Sequence, residues 1–142
     1  MATYNKFNQF VEDWAEKVHN LGADVLKVML VNSPAPVATN SVKADLTEIA
    51  AGNGYTAGGT AVTITASSQT SGTYKLVGND VVFTASGGSI GPFRYVVFYN
   101  DTPTSPADPL ISWWDYGSSI SINDGETFTV DFSAANGILQ NA

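Results

Sequence analysis

The chain has 142 residues and no cysteine. That length suits one domain with a real hydrophobic core, and the missing thiols exclude disulfides and thiolate metal sites. The net charge is −7 and the six basic residues, Lys6, Lys17, Lys27, Lys43, Lys75 and Arg94, are scattered, which excludes the basic stripe that a phosphate backbone requires. Only 13% of the residues are charged, against about 25% in ordinary domains. Thr, Ser, Asn and Gly fill the gap, giving a surface that desolvates easily, as in a packed assembly or a plain extracellular-style β domain. No run approaches the ~18 consecutive apolar residues of a membrane span, and the start, MATYNKFNQFVEDWAEK, lacks a basic end followed by an apolar run. The expectation is a soluble protein, its lack of cysteine suited to synthesis in a reducing cytoplasm, with neither nucleic acid nor membrane as partner.

In chain order, residues 3 to 20 read as a helix. Phe7, Phe10, Val11, Trp14, Val18 and Leu21 recur at helical spacing, with Thr3 as N-cap, Gly22 as stop and an Asp13–Lys17 pair on the solvent side. This gives an N-terminal amphipathic helix over 1–22, followed by a β domain over 23–142. VLKVMLV, residues 25–31, is short and wholly apolar apart from Lys27, as a strand covered on both faces should be. The stretch 42–51 fits either a short strand or a helical turn, and the glycine-rich run at 52–59 reads as a flexible loop or arm. From there the alternation is that of strands: Val62, Ile64 and Ala66; then 74–77 and 81–85 around Gly78-Asn79, predicted as a hairpin. Further strands follow at 93–100 and 110–116, from Ile120 through Asn123-Asp124-Gly125 to 127–132, and around Ile138. Three prolines stiffen the loop at 101–109. Eight or nine short strands with turn residues between them predict a mainly β fold. The architecture expected is an antiparallel β-sandwich or jelly-roll with an N-terminal amphipathic α-helix.

Two strands depart from the sandwich rule of apolar inside and polar outside. In 93–99, Phe93, Tyr95, Val97 and Tyr99 share one face, and Val96 and Phe98 sit on the other beside Arg94. In 110–116, the adjacent Trp113 and Trp114 must point to opposite faces. Each large apolar side chain left in water forgoes about 1.5–3 kcal/mol, so something covers the second face. Two covers are open: the helix, with Phe7, Phe10 and Trp14 turned inward, or a neighbouring subunit. Phe7, Phe10, Trp14, Tyr95, Phe98, Trp113, Trp114 and Tyr116 are therefore the candidate packing and assembly residues.

Catalytic chemistry finds little to work with. His19 is the sole histidine. A Gly-x-Ser-x-Gly match occurs at 87–91, but Pro92 and a strand follow Ser89 where a nucleophile elbow needs a helix. Asp115, among Trp113, Trp114 and Tyr116, is the best candidate for a sugar-binding patch or a glycosidase acid, with core packing as the plainer reading. Asn100, Asp101 and Asp108, and Asn123, Asp124 and Glu126, are acidic loops that depart from the EF-hand spacing. The expectation is no catalytic residue, no metal and no cofactor.

Several segments carry a family resemblance: DLTEIAAGNGYTAGG (45–59), DVVFTASGGSIGPFRYVVFYNDT (80–102), PLISWWDYG (109–117) and DGETFTVDF (124–132), with the opening helix and LKVMLVN (26–32) before them. Together they resemble a family of small tailed-bacteriophage virion proteins. The resemblance implies a non-enzymatic structural protein of the virion, self-associating and bound to other virion proteins, the major capsid protein first among them. A capsid decoration (cement) protein is the favoured member of that class. The alternative is a tail or head-fibre component whose aromatic strand meets a host glycan.

Overall fold

Ten strands and one short α-helix make up the computed structural model, which describes residues 3–141. Five strands form the front sheet, in the order β1 (Thr3–Lys6), β8 (Leu110–Ile122), β7 (Ile90–Asn100), β2 (Leu26–Val31) and β3 (Thr60–Ala61), each antiparallel to its neighbour. Behind it lie β4 (Ile64–Thr70), β5 (Thr73–Gly78) and β10 (Leu139–Asn141) in the order β10-β5-β4, and the pair β6 (Val81–Thr84) and β9 (Thr127–Val130). This is the predicted antiparallel sandwich.

The two back ladders run end to end. Only Asn79 and Asp80 separate β5 from β6, and the Asn79 amide still donates to Thr63 beside β4, at 2.9 Å. On the opposite strand, the chain from β9 to β10 makes a small excursion closed by the Ser133–Gly137 bridge. The Phe132 amide reaches the Asp80 carboxylate at 2.9 Å on one side of that excursion, and the Ile138 amide reaches Leu76 at 2.6 Å on the other. The back layer is thus three composite strands wide, facing a front sheet of five.

The hairpin expected at Gly78-Asn79 does not form, because β5 pairs with β4 and β10 while β6 pairs with β9. The reversal lies instead at Ser71-Gly72, between the paired Thr70 and Thr73. Both turn residues have positive φ, 51° and 83°, as the right-handed twist of a two-residue hairpin requires.

The N-terminal element also differs from expectation. Residues 3–6 are not helical; they form β1 along β8, with Tyr4 opposite Trp114 and Lys6 opposite Ser112. Pairing with β8 satisfies backbone groups that a helix from Thr3 would leave open on that edge. The helix α1 spans Asn8–Ala15, with Phe7 rather than Thr3 at its N-cap. Lys17, at φ 66°, ends it one turn before Gly22, with the Val18 amide returning to Asp13 at 2.9 Å. Asp13 is buried and accepts from Gln9 at 3.2 Å, so the expected Asp13–Lys17 surface pair is absent among the described residues. Of the expected 1–22 element, residues 1 and 2 lie outside the described residues.

The sandwich interior holds Leu26, Val28 and Leu30 of β2, Phe93, Val96 and Phe98 of β7, Ile111 of β8, and Leu76, Val81, Phe83, Val130 and Phe132 behind them. A second cluster sits on the outer face of the front sheet: Phe7, Met29, Val31, Tyr95, Val97, Tyr99, Leu110 and Trp113. Shifts of register in the β7–β8 ladder let Phe93 face inward while Tyr95, two residues on, faces outward.

Neither expected cover accounts for this outer face. The helix contributes to the interior instead, through Phe10 and the half-buried Trp14, and Val11 is exposed. Phe7, just ahead of the helix, is the one member of the stripe on the outer face, its ring tilted against Trp113 at 4.5 Å between centroids. The rest of the cover is the chain's own segment between β2 and β3, where Ala38 and Leu46 pack on the cluster and the Gly58 carbonyl accepts a hydrogen bond from the Tyr99 hydroxyl at 2.5 Å. No second subunit is required to bury it.

The glycine-rich run is correspondingly tied down. Tyr55 is buried beside Phe83, and its hydroxyl accepts from the Leu30 amide at 3.0 Å and donates to Glu48 at 2.6 Å. It caps the edge of β2 where β3 has ended. Gly59, at φ 81°, lies so close to the Val28 carbonyl that a Cβ would collide with the backbone there, which fixes glycine at that position.

Candidate interaction surface

Because the front sheet is wider than the back layer, β8 and β1 project past the edge made by β9 and β10. Inward-facing side chains on that overhang reach solvent. Trp114 is half-buried, while Tyr116 and Tyr4 are exposed. Tyr4 meets Trp114 edge-on at 5.6 Å, Trp114 meets Phe132 at 5.8 Å, and Tyr116 meets Phe128 at 5.8 Å. Together they line an open flank. One end is a cleft of about 440 Å³ bounded by Val96, Trp114, Tyr116 and the run Phe128–Phe132. The other, of about 690 Å³, runs from Tyr4 and Trp114 along Asp131–Ser133 to Gln140. Partial desolvation of its ring on the flank raises the Tyr4 phenol above its usual value, with a smaller opposing effect from Ser112.

The eight aromatic candidates therefore divide three ways. Phe7, Tyr95 and Trp113 are buried on the outer face. Phe10 and Phe98 belong to the interior, with Trp14 packed at its margin against Phe10 and Tyr74. Only Trp114 and Tyr116 come together on a surface open to a partner. Their companions Tyr4, Phe128 and Phe132 were not singled out for this surface by the sequence. Tyr4 was hidden by the helical reading of residues 3–20. Phe128 and Phe132 carry an ordinary inward alternation that does not announce a free edge.

Asp115 lies on the opposite side of β8 from the flank, since it alternates with Trp114 and Tyr116. The Arg94 guanidinium holds it through bonds of 2.8 and 3.1 Å, and the Gly117 amide adds a third at 2.8 Å. These contacts, Arg94 first, hold its carboxyl below the usual range despite some desolvation. A carboxylate so pinned is poorly placed to protonate a leaving group or to meet a sugar stacked on Trp114.

Other polar candidates are engaged in structure. His19 shares the Asn100 side-chain amide with Asp24, at 3.0 and 2.7 Å. Burial lowers the imidazole pKa, against opposing pulls from Asp13 and Asp24. Ser89 is exposed in the loop from β6 to β7, its carbonyl accepting from Asn53 at 2.9 Å. Lys27 pairs with Asp101 at 2.9 Å, while burial and then repulsion from Asp101 raise the Asp108 carboxyl. Asp124 accepts from the Gly87 amide, and Glu126 from Asn123. Among the described residues, no three His, Cys, Asp or Glu side chains converge as metal ligands would, and no helix is long and apolar enough to cross a membrane.

Comparison of the chain with protein-family models, with curated proteins and with solved structures finds no match.

Proposed function

We propose that the chain is a non-enzymatic structural protein of a tailed-phage virion, working as a capsid decoration protein that stabilises the head. The observation that carries this reading is the open aromatic flank on a domain whose other apolar faces are covered by its own chain. Trp114, Tyr116 and Tyr4 remain as a contiguous apolar margin, and such margins favour a protein contact. The low charge density supports the same use, because few ions must be stripped of water when such a surface packs. The resemblance of 45–59, 80–102, 109–117 and 124–132 to tailed-phage virion proteins supplies the setting.

A second reading has its own observation. Asp131, Asn136 and Gln140 stand beside Trp114 along the flank, a mixture of ring faces and hydrogen-bonding groups that also suits a host glycan in a tail or head-fibre component. Copy number separates the two. Quantitative mass spectrometry of purified particles should give this chain an abundance comparable with the major capsid protein, and particles lacking it should release DNA at lower temperature. A few copies per particle would favour the tail reading. Absence from particles would refute both.

A further inference from the structure

We infer that the open flank is a strand-docking edge, which receives an extended arm of a neighbouring virion polypeptide as an added strand on β9. This rests on the assembly reading above and names the kind of partner it takes.

The backbone is the first argument. In an antiparallel ladder, alternate residues turn their amide and carbonyl toward the partner strand. The Glu126 carbonyl accepts from Ala85 and the Phe132 amide is taken by Asp80, so residues 126, 128, 130 and 132 are those facing β6. Thr127, Thr129 and Asp131 then direct their amides and carbonyls the other way, where β9 has no strand neighbour among the described residues. Five consecutive residues, Phe128–Phe132, line the cleft, as an exposed strand edge does and a wall of alternating side chains does not. Such an edge is a template for an incoming strand.

The overhang is the second argument. A strand added to β9 would lie in the back layer, directly behind Trp114 and Tyr116. Side chains on one of its faces would bury those rings, extending the back layer toward the width of the front sheet.

The same overhang decides the occupant. Two copies of this chain joined through their β9 edges about a twofold axis would bring both projecting β8–β1 margins into one space. A single arm, one strand or about 4.8 Å wide, meets no such obstacle. Its chemistry follows: extended, apolar at alternate positions toward Trp114 and Tyr116, and basic beside Asp131 on a chain of net charge −7.

The test uses the intact protein and a soluble synthetic peptide that alternates valine and threonine between lysine pairs. We expect saturable binding with a blue shift of tryptophan emission. Amide exchange at Thr127, Thr129 and Asp131 should slow by roughly tenfold or more. The same peptide N-methylated on its edge-facing amides should fail to bind. Thr129→Pro removes an outward amide without removing a β6 ladder bond, and should weaken peptide binding by about tenfold; the N-methylated peptide carries the test alone if that variant does not fold. Equal binding of the N-methylated peptide, or no protection of those amides, would overturn the proposal. So would a bacterial surface oligosaccharide that shifts the tryptophan emission where the peptide does not, or a dimer in light scattering that Thr129→Pro dissolves. Peptide binding by a chain absent from particles would fail the virion reading and leave strand docking standing.

Discussion

Removing one oxygen from Tyr55 should show how firmly the segment between β2 and β3 is locked to the sandwich. In Tyr55→Phe the ring keeps its place beside Phe83, but two bonds vanish. The Leu30 amide, in a strand residue with no solvent exposure, loses its acceptor at 3.0 Å; an unpaired buried amide costs about 1–3 kcal/mol. Glu48 loses a donor at 2.6 Å but keeps the Gly58 amide at 2.7 Å and Lys43 at 3.6 Å, so that loss adds only about 1 kcal/mol. The expected destabilisation is about 2–4 kcal/mol. Equilibrium urea denaturation should show a lower midpoint with an unchanged slope, because the surface exposed on unfolding is the same. A change below about 0.5 kcal/mol would mean that the edge of β2 is satisfied some other way, and the role of Tyr55 as its cap would fall.

Trp113→Ala should cost about 3–5 kcal/mol by chemical denaturation, since it opens a void against Phe7 on the covered outer face. Trp114→Ala, half-buried at the flank, should cost markedly less in the same assay, and equal losses would contradict the division of the two tryptophans between a closed and an open face. Gly59→Ala should reduce soluble yield and melting temperature sharply, because its Cβ meets the Val28 backbone at a positive φ; a melting temperature unchanged from the parent would refute that contact. For His19, burial holds the imidazole below its usual 6.5, so the unfolded chain binds the proton more readily. The resulting stability is present above the unfolded value and is lost as pH falls through the folded one. Urea midpoints measured from about pH 7 down to about pH 5 should decline, and His19→Gln should flatten that part of the decline; an identical slope in the variant would remove His19 as its cause.

Much of this architecture was legible in the residues. Alternation at 127–132 and the run at 25–31, apolar apart from Lys27, gave strands with the right faces, and adjacent Trp113 and Trp114 do point to opposite sides of β8. What failed was local pattern overruled by pairing. TYNK fits a helical stripe as well as a strand, and only the presence of β8 beside it decides. Gly78-Asn79 has hairpin chemistry, yet its flanking strands each find a different partner, so the chain passes nearly straight through. The cover of the outer face was illegible for a related reason. It comes from a segment with no strong periodicity, fastened by single groups such as the Tyr55 hydroxyl and the Gly58 carbonyl. The candidate surface was half visible: Trp114 and Tyr116 stood out as bulky, but their exposure depends on how far a five-stranded sheet outruns the layer behind it, which no single segment encodes.

The most direct test is a cryo-EM reconstruction of purified particles. The account predicts this domain on the head in many copies, with Trp114 and Tyr116 buried beneath an extended segment of a neighbouring protein that pairs with β9. A map showing the domain with that flank turned to solvent would contradict the assembly role assigned to it, and particles without the chain would contradict the function itself.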